Sequence, residues 1–216
     1  MVNRFDGPGS SQIELLALAL SSDERLATMA VNSFMVPLGT PAPPFALPSL
    51  DGHTVTSDDL GPGRPLLVMF LSNHCPYVRH IERELGSLVA EYSQRGVAAV
   101  AICSNDTETH PDDGPDGLTE QVHRAEFTFP YLRDDTQEVA LAYRAACTPD
   151  FFVYDAGRKL VYRGEFDESR PRNDAAVTGK ALRAVLDLVL AGQPVTEPQR
   201  PSMGCGIKWK PGNEPR

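Results

Sequence analysis

The sequence predicts an α/β fold, a central sheet with helices on both faces, and three observations lead there. Leu66–Leu71 and Val97–Cys103 are continuous apolar runs, the pattern of strands covered on both sides. Between them Val78, Ile81, Leu85, Leu88 and Tyr92 recur at helical spacing and Gly96 ends the run, which predicts a β-α-β unit. Further on, Phe151–Tyr154 and Lys159–Tyr162 read as two strands joined by a tight turn at Asp155-Ala156-Gly157.

The remaining elements follow in order. Residues 1–36 read as a short helical extension: Ile13–Leu20 is apolar apart from Glu14, and Asp23-Glu24 follow at once. Arg4 is the only early basic side chain and Asp6 offsets it, which is not the pattern of a secretory signal, so a cytoplasmic protein is expected. The proline-rich stretch Pro41–Pro48 marks a boundary. Phe45–Thr56, with Asp51-Gly52 at its centre, predicts an N-terminal hairpin. Ser104–Gly117 is expected to be a solvated acidic loop without the ligand spacing of a calcium loop. Leu118–Phe127 and Thr136–Arg144 suit helices, and Ala175–Ala191 is the closing helix, with Leu182, Val185, Leu186 and Val189 on its apolar face. The domain is thus expected to span 37–192. The tail 193–216, rich in proline and glycine, is expected to be irregular and mobile, with Trp209 as a candidate anchor.

The net charge of -9 argues against a nucleic acid or an anionic membrane as partner, since both would be repelled. No apolar stretch approaches the roughly 18 residues of a membrane span. The four cysteines, Cys75, Cys103, Cys147 and Cys205, are widely spaced and form no Cys-x-x-Cys pair, so neither a zinc knuckle nor a small disulfide framework is expected.

The first strand runs into Ser72-Asn73-His74-Cys75-Pro76-Tyr77. Pro76 suits the first turn of a helix, which places Cys75 at its start. Unpaired backbone N–H groups and the positive end of the helix dipole favour a thiolate there, and the thiolate is the nucleophilic form. Arg79, one turn on, is a candidate source of further positive charge, and His74 a candidate for tuning the thiolate or relaying its proton. Asn73 is expected to fix the turn by local hydrogen bonds. Cys103, ending a buried strand, reads as core packing. His53, His80, His110 and His123 are scattered and expected at the surface.

These motifs together resemble a known group. Pro41–Pro48 followed by Asp51-Gly52 is similar to the opening of redoxin domains of the alkyl hydroperoxide reductase/thiol-specific antioxidant group. Asn73-His74-Cys75-Pro76-Tyr77, Thr148-Pro149-Asp150-Phe151-Phe152 and Gly204–Lys210 resemble one branch of it, over roughly residues 36–210. The resemblance implies a thioredoxin-like fold with a central mixed sheet. It also implies a cis-proline turn at Thr148-Pro149 facing Cys75, with Cys147 brought near Cys75. The chain departs from the Cys-x-x-Cys of thioredoxins by placing Ser72 in the first position. Ser-x-x-Cys-Pro resembles instead the Thr-x-x-Cys-Pro of peroxiredoxins, which implies that Ser72 hydrogen-bonds the thiolate or a peroxide.

The expected function is a thiol-dependent oxidoreductase. Cys75 attacks a peroxide or a disulfide, Cys147 or Cys205 is the candidate resolving thiol, and an external thiol serves as reductant, with no cofactor or metal. Two alternatives stand beside it. One is a thioredoxin-like binding module that lost activity with the first cysteine. The other is a soft-metal site built from Cys75, His74 and Cys205.

Overall fold

The structure is a computed structural model that describes residues 30–196 and 198–215. The strand Leu66–Phe70 (β4) is its centre, buried along its whole length because both faces are covered. The elements before it are β1 (Ala30–Asn32), β2 (Ala46–Pro48) and β3 (Thr54–Thr56). After it come helix α1 (Pro76–Gln94), β5 (Ala98–Cys103), α2 (Pro115–Ala125), β6 (Tyr131–Arg133) and α3 (Glu138–Tyr143). The chain ends with β7 (Cys147–Thr148), β8 (Asp150–Tyr154), β9 (Leu160–Gly164), α4 (Lys180–Leu190) and β10 (Met203–Gly206).

The main sheet has the order β6-β5-β4-β8-β9. β4, β5 and β6 are parallel, while β8 is antiparallel to both β4 and β9, so the sheet is mixed. Alternation along β4 divides the core in two. Leu67, Met69 and Leu71 meet Val78, Leu85, Leu118, Leu182 and Val185, from α1, α2 and α4. Leu66, Val68 and Phe70 meet Phe45 and Leu47 from the hairpin side, Tyr143 from α3 and Ile207 from the C-terminal segment. Helices thus lie on both faces, and the hairpin β2–β3 lies where the sequence places it. The approach of α1 to α2 requires Gly86, whose Cβ would stand 2.3 Å from the Ala125 carbonyl oxygen.

Three expectations are corrected, and β6 is an added strand whose three residues, bounded by Pro130 and Asp134, are too few to show a period. The closing helix starts at Lys180, not Ala175: Gly179 stands in the left-handed region at φ 63°, and the N–H groups of Thr178 and Gly179 both donate to the Asp167 carboxylate. The acidic loop is not solvated throughout, since Asp106 and Asp113 are buried and α2 already starts at Pro115. The tail is not irregular throughout: β10 is the middle strand of a second sheet, between β1 and β7. β1 falls within the expected extension 1–36, whose candidate helix, Ile13–Leu20, lies outside the described residues. Among the described residues, no helix is long and apolar enough to cross a membrane.

Candidate active site

β4 delivers the chain to Cys75, the N-cap of α1, in an extended conformation, with Pro76 at the first helical position. The Cys75 carbonyl takes the first helical bond from the Arg79 N–H at 2.9 Å. The sulfur stands at the N–H groups of the first turn that have no helical partner, that of Val78 among them. Cys75 has no exposed surface.

Burial raises the pKa of a thiol, because the charged form loses water. Here that effect is outweighed. Hydrogen bonds from the Cys205 thiol, the Thr148 hydroxyl and the N–H groups of Val78 and Cys205 bring Cys75 down to about 6. Cys205 moves the opposite way, far above the ordinary thiol range, through its hydrogen bond to Cys75 and then its burial. Cys75 is thus the more acidic of the two sulfurs and Cys205 the one that keeps its proton. When Cys75 is itself protonated it donates to the Thr148 carbonyl at 3.0 Å, a bond only the thiol form can make.

The partners come from the second sheet. In β10 and β7, Cys205 pairs with Thr148 and Gly206 with Cys147. Cross-strand partners share a face and successive residues alternate, so Cys205 and Thr148 look towards Cys75 while Cys147 looks away. The Cys147 thiol donates to the Pro149 and Ser202 carbonyls at 3.6 and 3.9 Å. Burial, then the nearby Asp150, pushes its pKa well up. The Thr148–Pro149 peptide is cis.

The other expected site residues form a ring around the loop rather than around the sulfur. The Ser72 hydroxyl meets that of Thr148 at 3.1 Å, so its bond goes to the donor of Cys75 and not to Cys75. Asn73 holds the turn: its N–H donates to Asp113 at 2.7 Å and its Nδ2 to the Asp112 carbonyl at 3.0 Å. Arg79 is exposed and its Nε donates to the Asn73 carbonyl at 2.7 Å, so it braces the loop. His74 joins its Nδ1 to Asp113 Oδ2 at 2.5 Å, and its N–H donates to Asp113 Oδ1 at 3.1 Å. Its Nε2 is buried without a partner.

Asp113 is thus the hub of the loop and was missed from sequence, as were Asn105, which donates to it at 2.8 Å, and His110. His110 was expected at the surface but is half-buried, its ring tilted by 31° against that of His74 with centroids 4.8 Å apart. Burial raises the Asp113 carboxyl, but hydrogen bonds from His74 and Asn105 hold it below the usual carboxylate range. The missed signal was the helix punctuation at Pro111 and Gly114-Pro115, which marks ordered backbone inside the acidic stretch. Cys103 is core, as expected; burial, then Asp113, pushes its thiol up. Among the described residues, no three His, Cys, Asp or Glu side chains group as metal ligands.

The mixed sheet, the thiol at a helix start and the adjoining cis-proline together define a thioredoxin-like protein. A protein-family model described as the AhpC/TSA family matches residues 38–163, and the chain belongs to that family. It is similar to an uncharacterized conserved protein of Geobacillus kaustophilus, at 50% identity and a TM-score of 0.82, over 85% of this chain and 97% of that one. It is also similar to a hypothetical protein of Sinorhizobium meliloti 1021, at 45% identity and a TM-score of 0.82, over 84% and 99%. A thioredoxin-family thiol:disulfide interchange protein of Chlorobium tepidum TLS shares the fold at 17% identity and a TM-score of 0.55, over 72% and 99%. No curated protein matches the chain.

Proposed function

We propose that the protein is a thiol-dependent oxidoreductase in which Cys75 is the nucleophile and Cys205 its disulfide partner. The observation that carries this reading is the β10–β7 pairing that sets Cys205 beside Thr148 and Cys75, where Cys75 is brought down to about 6 and Cys205 is raised. Near neutral pH a nucleophilic thiolate then stands beside a thiol that stays protonated. The function of a Cys-x-x-Cys pair is thereby restored across space: Ser72 occupies the first position, and the second thiol comes from β10.

The chemistry balances as follows. The Cys75 thiolate attacks one oxygen of a hydroperoxide. The O–O bond breaks, the leaving oxygen takes up a proton, and Cys75 becomes a sulfenic acid. The Cys205 thiol condenses with it to a disulfide and releases water. With a disulfide substrate, Cys75 instead forms a mixed disulfide and expels a thiolate. Cys205, once deprotonated by that thiolate, displaces the second thiol. In either case two equivalents of an external thiol return the pair to its reduced form and are themselves oxidised to a disulfide. Membership in the AhpC/TSA family supports the redox reading. The depressed Cys75 speaks against a binding module that has lost its chemistry, since such a module has no use for a thiolate.

Mass spectrometry of the reduced protein after a stoichiometric hydrogen peroxide pulse tests this. The expected product has lost two hydrogens and maps to a Cys75–Cys205 disulfide. Cys147→Ser retains the product and Cys75→Ser lacks it. A disulfide mapped to Cys75–Cys147 removes Cys205 from the role, and oxidation that is the same in Cys75→Ser removes Cys75.

A further inference from the structure

A protein disulfide that is to react at Cys75 must bring one of its sulfurs to the Cys75 sulfur and its backbone alongside β7. Both places are taken by this chain. The Cys205 sulfur holds the first. β10 holds the second, pairing antiparallel with Cys147 and Thr148 along an edge that would otherwise present unpaired backbone groups to another strand.

β10 is held on every side. Its other edge pairs with β1, Ala30 opposite Cys205 and Asn32 opposite Met203. Upstream, the buried Ser202 accepts the Ser33 N–H at 2.9 Å and donates its hydroxyl to the Gly164 carbonyl at 2.6 Å. Downstream, the Ile207 N–H donates to the Ala146 carbonyl at 3.1 Å and the Ile207 side chain enters the core. The Lys208 carbonyl then accepts from the Asp106 N–H and the Gln137 side chain, both at 2.8 Å.

The fit against β7 is close enough to select one residue type. A Cβ on Gly204 would stand 2.0 Å from the Thr148 carbonyl oxygen and 3.1 Å from Pro149 Cδ. Only glycine lets a strand lie this close with its next residue, Cys205, apposed to Cys75. Next to Pro149 and Ser202, which flank the pairing of β10 with β7, a cavity of about 20 Å3 lined also by Tyr77, His80 and Met203 has room for a single water molecule.

We infer that β10 is an intramolecular occupant of the substrate edge, a strap that shuts protein disulfides out of the Cys75 site and admits only small reactants while it is seated. This rests on the reading of Cys75 as the nucleophile. It selects between the two substrate classes of that reading, and Gly204 is the residue that seats the strap.

The test uses the full-length reduced protein and two thiol reagents, iodoacetamide and a polyethylene-glycol maleimide of several kilodaltons. Modification is mapped to Cys75 by peptide mass, and amide exchange of Ser33 and Ile207 reports on the strap independently. In the wild type, iodoacetamide is expected to modify Cys75 while the large maleimide does not, with both amides protected. In Gly204→Ala, large-maleimide labelling of Cys75 is expected to rise roughly tenfold or more, because an overpacked contact pushes the strand off. Gly206→Ala, where an added Cβ has room at 3.6 Å from Val31, is expected to behave as the wild type. Equal labelling of wild-type Cys75 by both reagents overturns the strap. So does fast exchange of the Ser33 and Ile207 amides, a result that needs no variant to fold. Protected amides with Cys75 inert to both reagents leave the strap seated but overturn its admission of small reactants and Cys75 as the nucleophile, so this failure is told apart from an unseated strap.

Discussion

The ends of β4 and β5 lie side by side in the sheet, as parallel neighbours, and each delivers a cysteine into dry surroundings. Cys75 follows β4 with no exposed surface; Cys103 is the last residue of β5 and 4% exposed. The two thiols nevertheless move in opposite directions, Cys75 down to about 6 and Cys103 well up. Burial acts on both alike, so it cannot be the cause of the difference. What differs is the set of donors. Cys75 sits at the free N–H groups of a helix start and receives the Thr148 hydroxyl and the Cys205 thiol. Cys103 faces the buried charge of Asp113 and gains one backbone N–H, from Asn105. Two sulfurs at the same end of adjacent strands thus become an acidic thiol and a piece of core, according to what the neighbouring loops aim at them.

The comparison can be broken most directly by measuring native-state alkylation of both residues. At pH 7 a thiol with a pKa near 6 is about nine-tenths thiolate, whereas one above the ordinary range is no more than a few per cent ionised. Cys75 is therefore expected to react with iodoacetamide at least about thirtyfold faster than Cys103. Similar rates at the two sites would show that burial, not the donors, governs both.

A smaller effect sharpens the source of the difference. In Cys205→Ala the thiolate loses its strongest donor, so the Cys75 midpoint moves upward. The sign follows from the form that is stabilised: the donor favours the charged sulfur, and without it the sulfur keeps its proton to higher pH. Wild-type reactivity is expected to rise with pH through about 6 and then level off. In the variant the rise comes about one unit later, so the rate below both midpoints falls about tenfold. An unmoved midpoint would assign the shift to the helix start and Thr148 alone.

The smallest effect lies on the other strand. Cys103→Ala is expected to leave the Cys75 alkylation rate within about twofold, and to lower stability in urea by about 1 kcal/mol as a buried sulfur is lost. A change in the Cys75 pH profile would mean that the two strand ends communicate, against the reading of Cys103 as packing.

Much of the fold was legible because its largest signals are local. The apolar run Leu66–Leu71, the helical stripe Val78–Tyr92 and the Asp51-Gly52 turn each carry their structure within one short continuous segment. Cys75 was legible for the same reason, since Pro76 announces the helix start that exposes the sulfur to free N–H groups. The tail misled because its prolines and glycines are the composition of a loop, whereas Gly204 and Gly206 serve a strand that needs close approach to β7. The acidic loop misled because charge in sequence reads as solvent. Asp113 is instead buried, and its two oxygens take the N–H groups of Asn73 and His74, the His74 ring and Asn105.

The sequence by itself determined an α/β sheet, a sulfur placed at a helix start and the residues that surround it in the chain. All of these follow from periodicity and from the backbone chemistry of adjacent residues. Only the tertiary structure decided which second thiol faces Cys75. Cys205 is 130 residues away in number, and β10 brings it there by pairing across β7, while the alternation of a strand turns the nearer Cys147 to the other side. Strand partners are chosen by register between distant segments, and no local pattern records that choice.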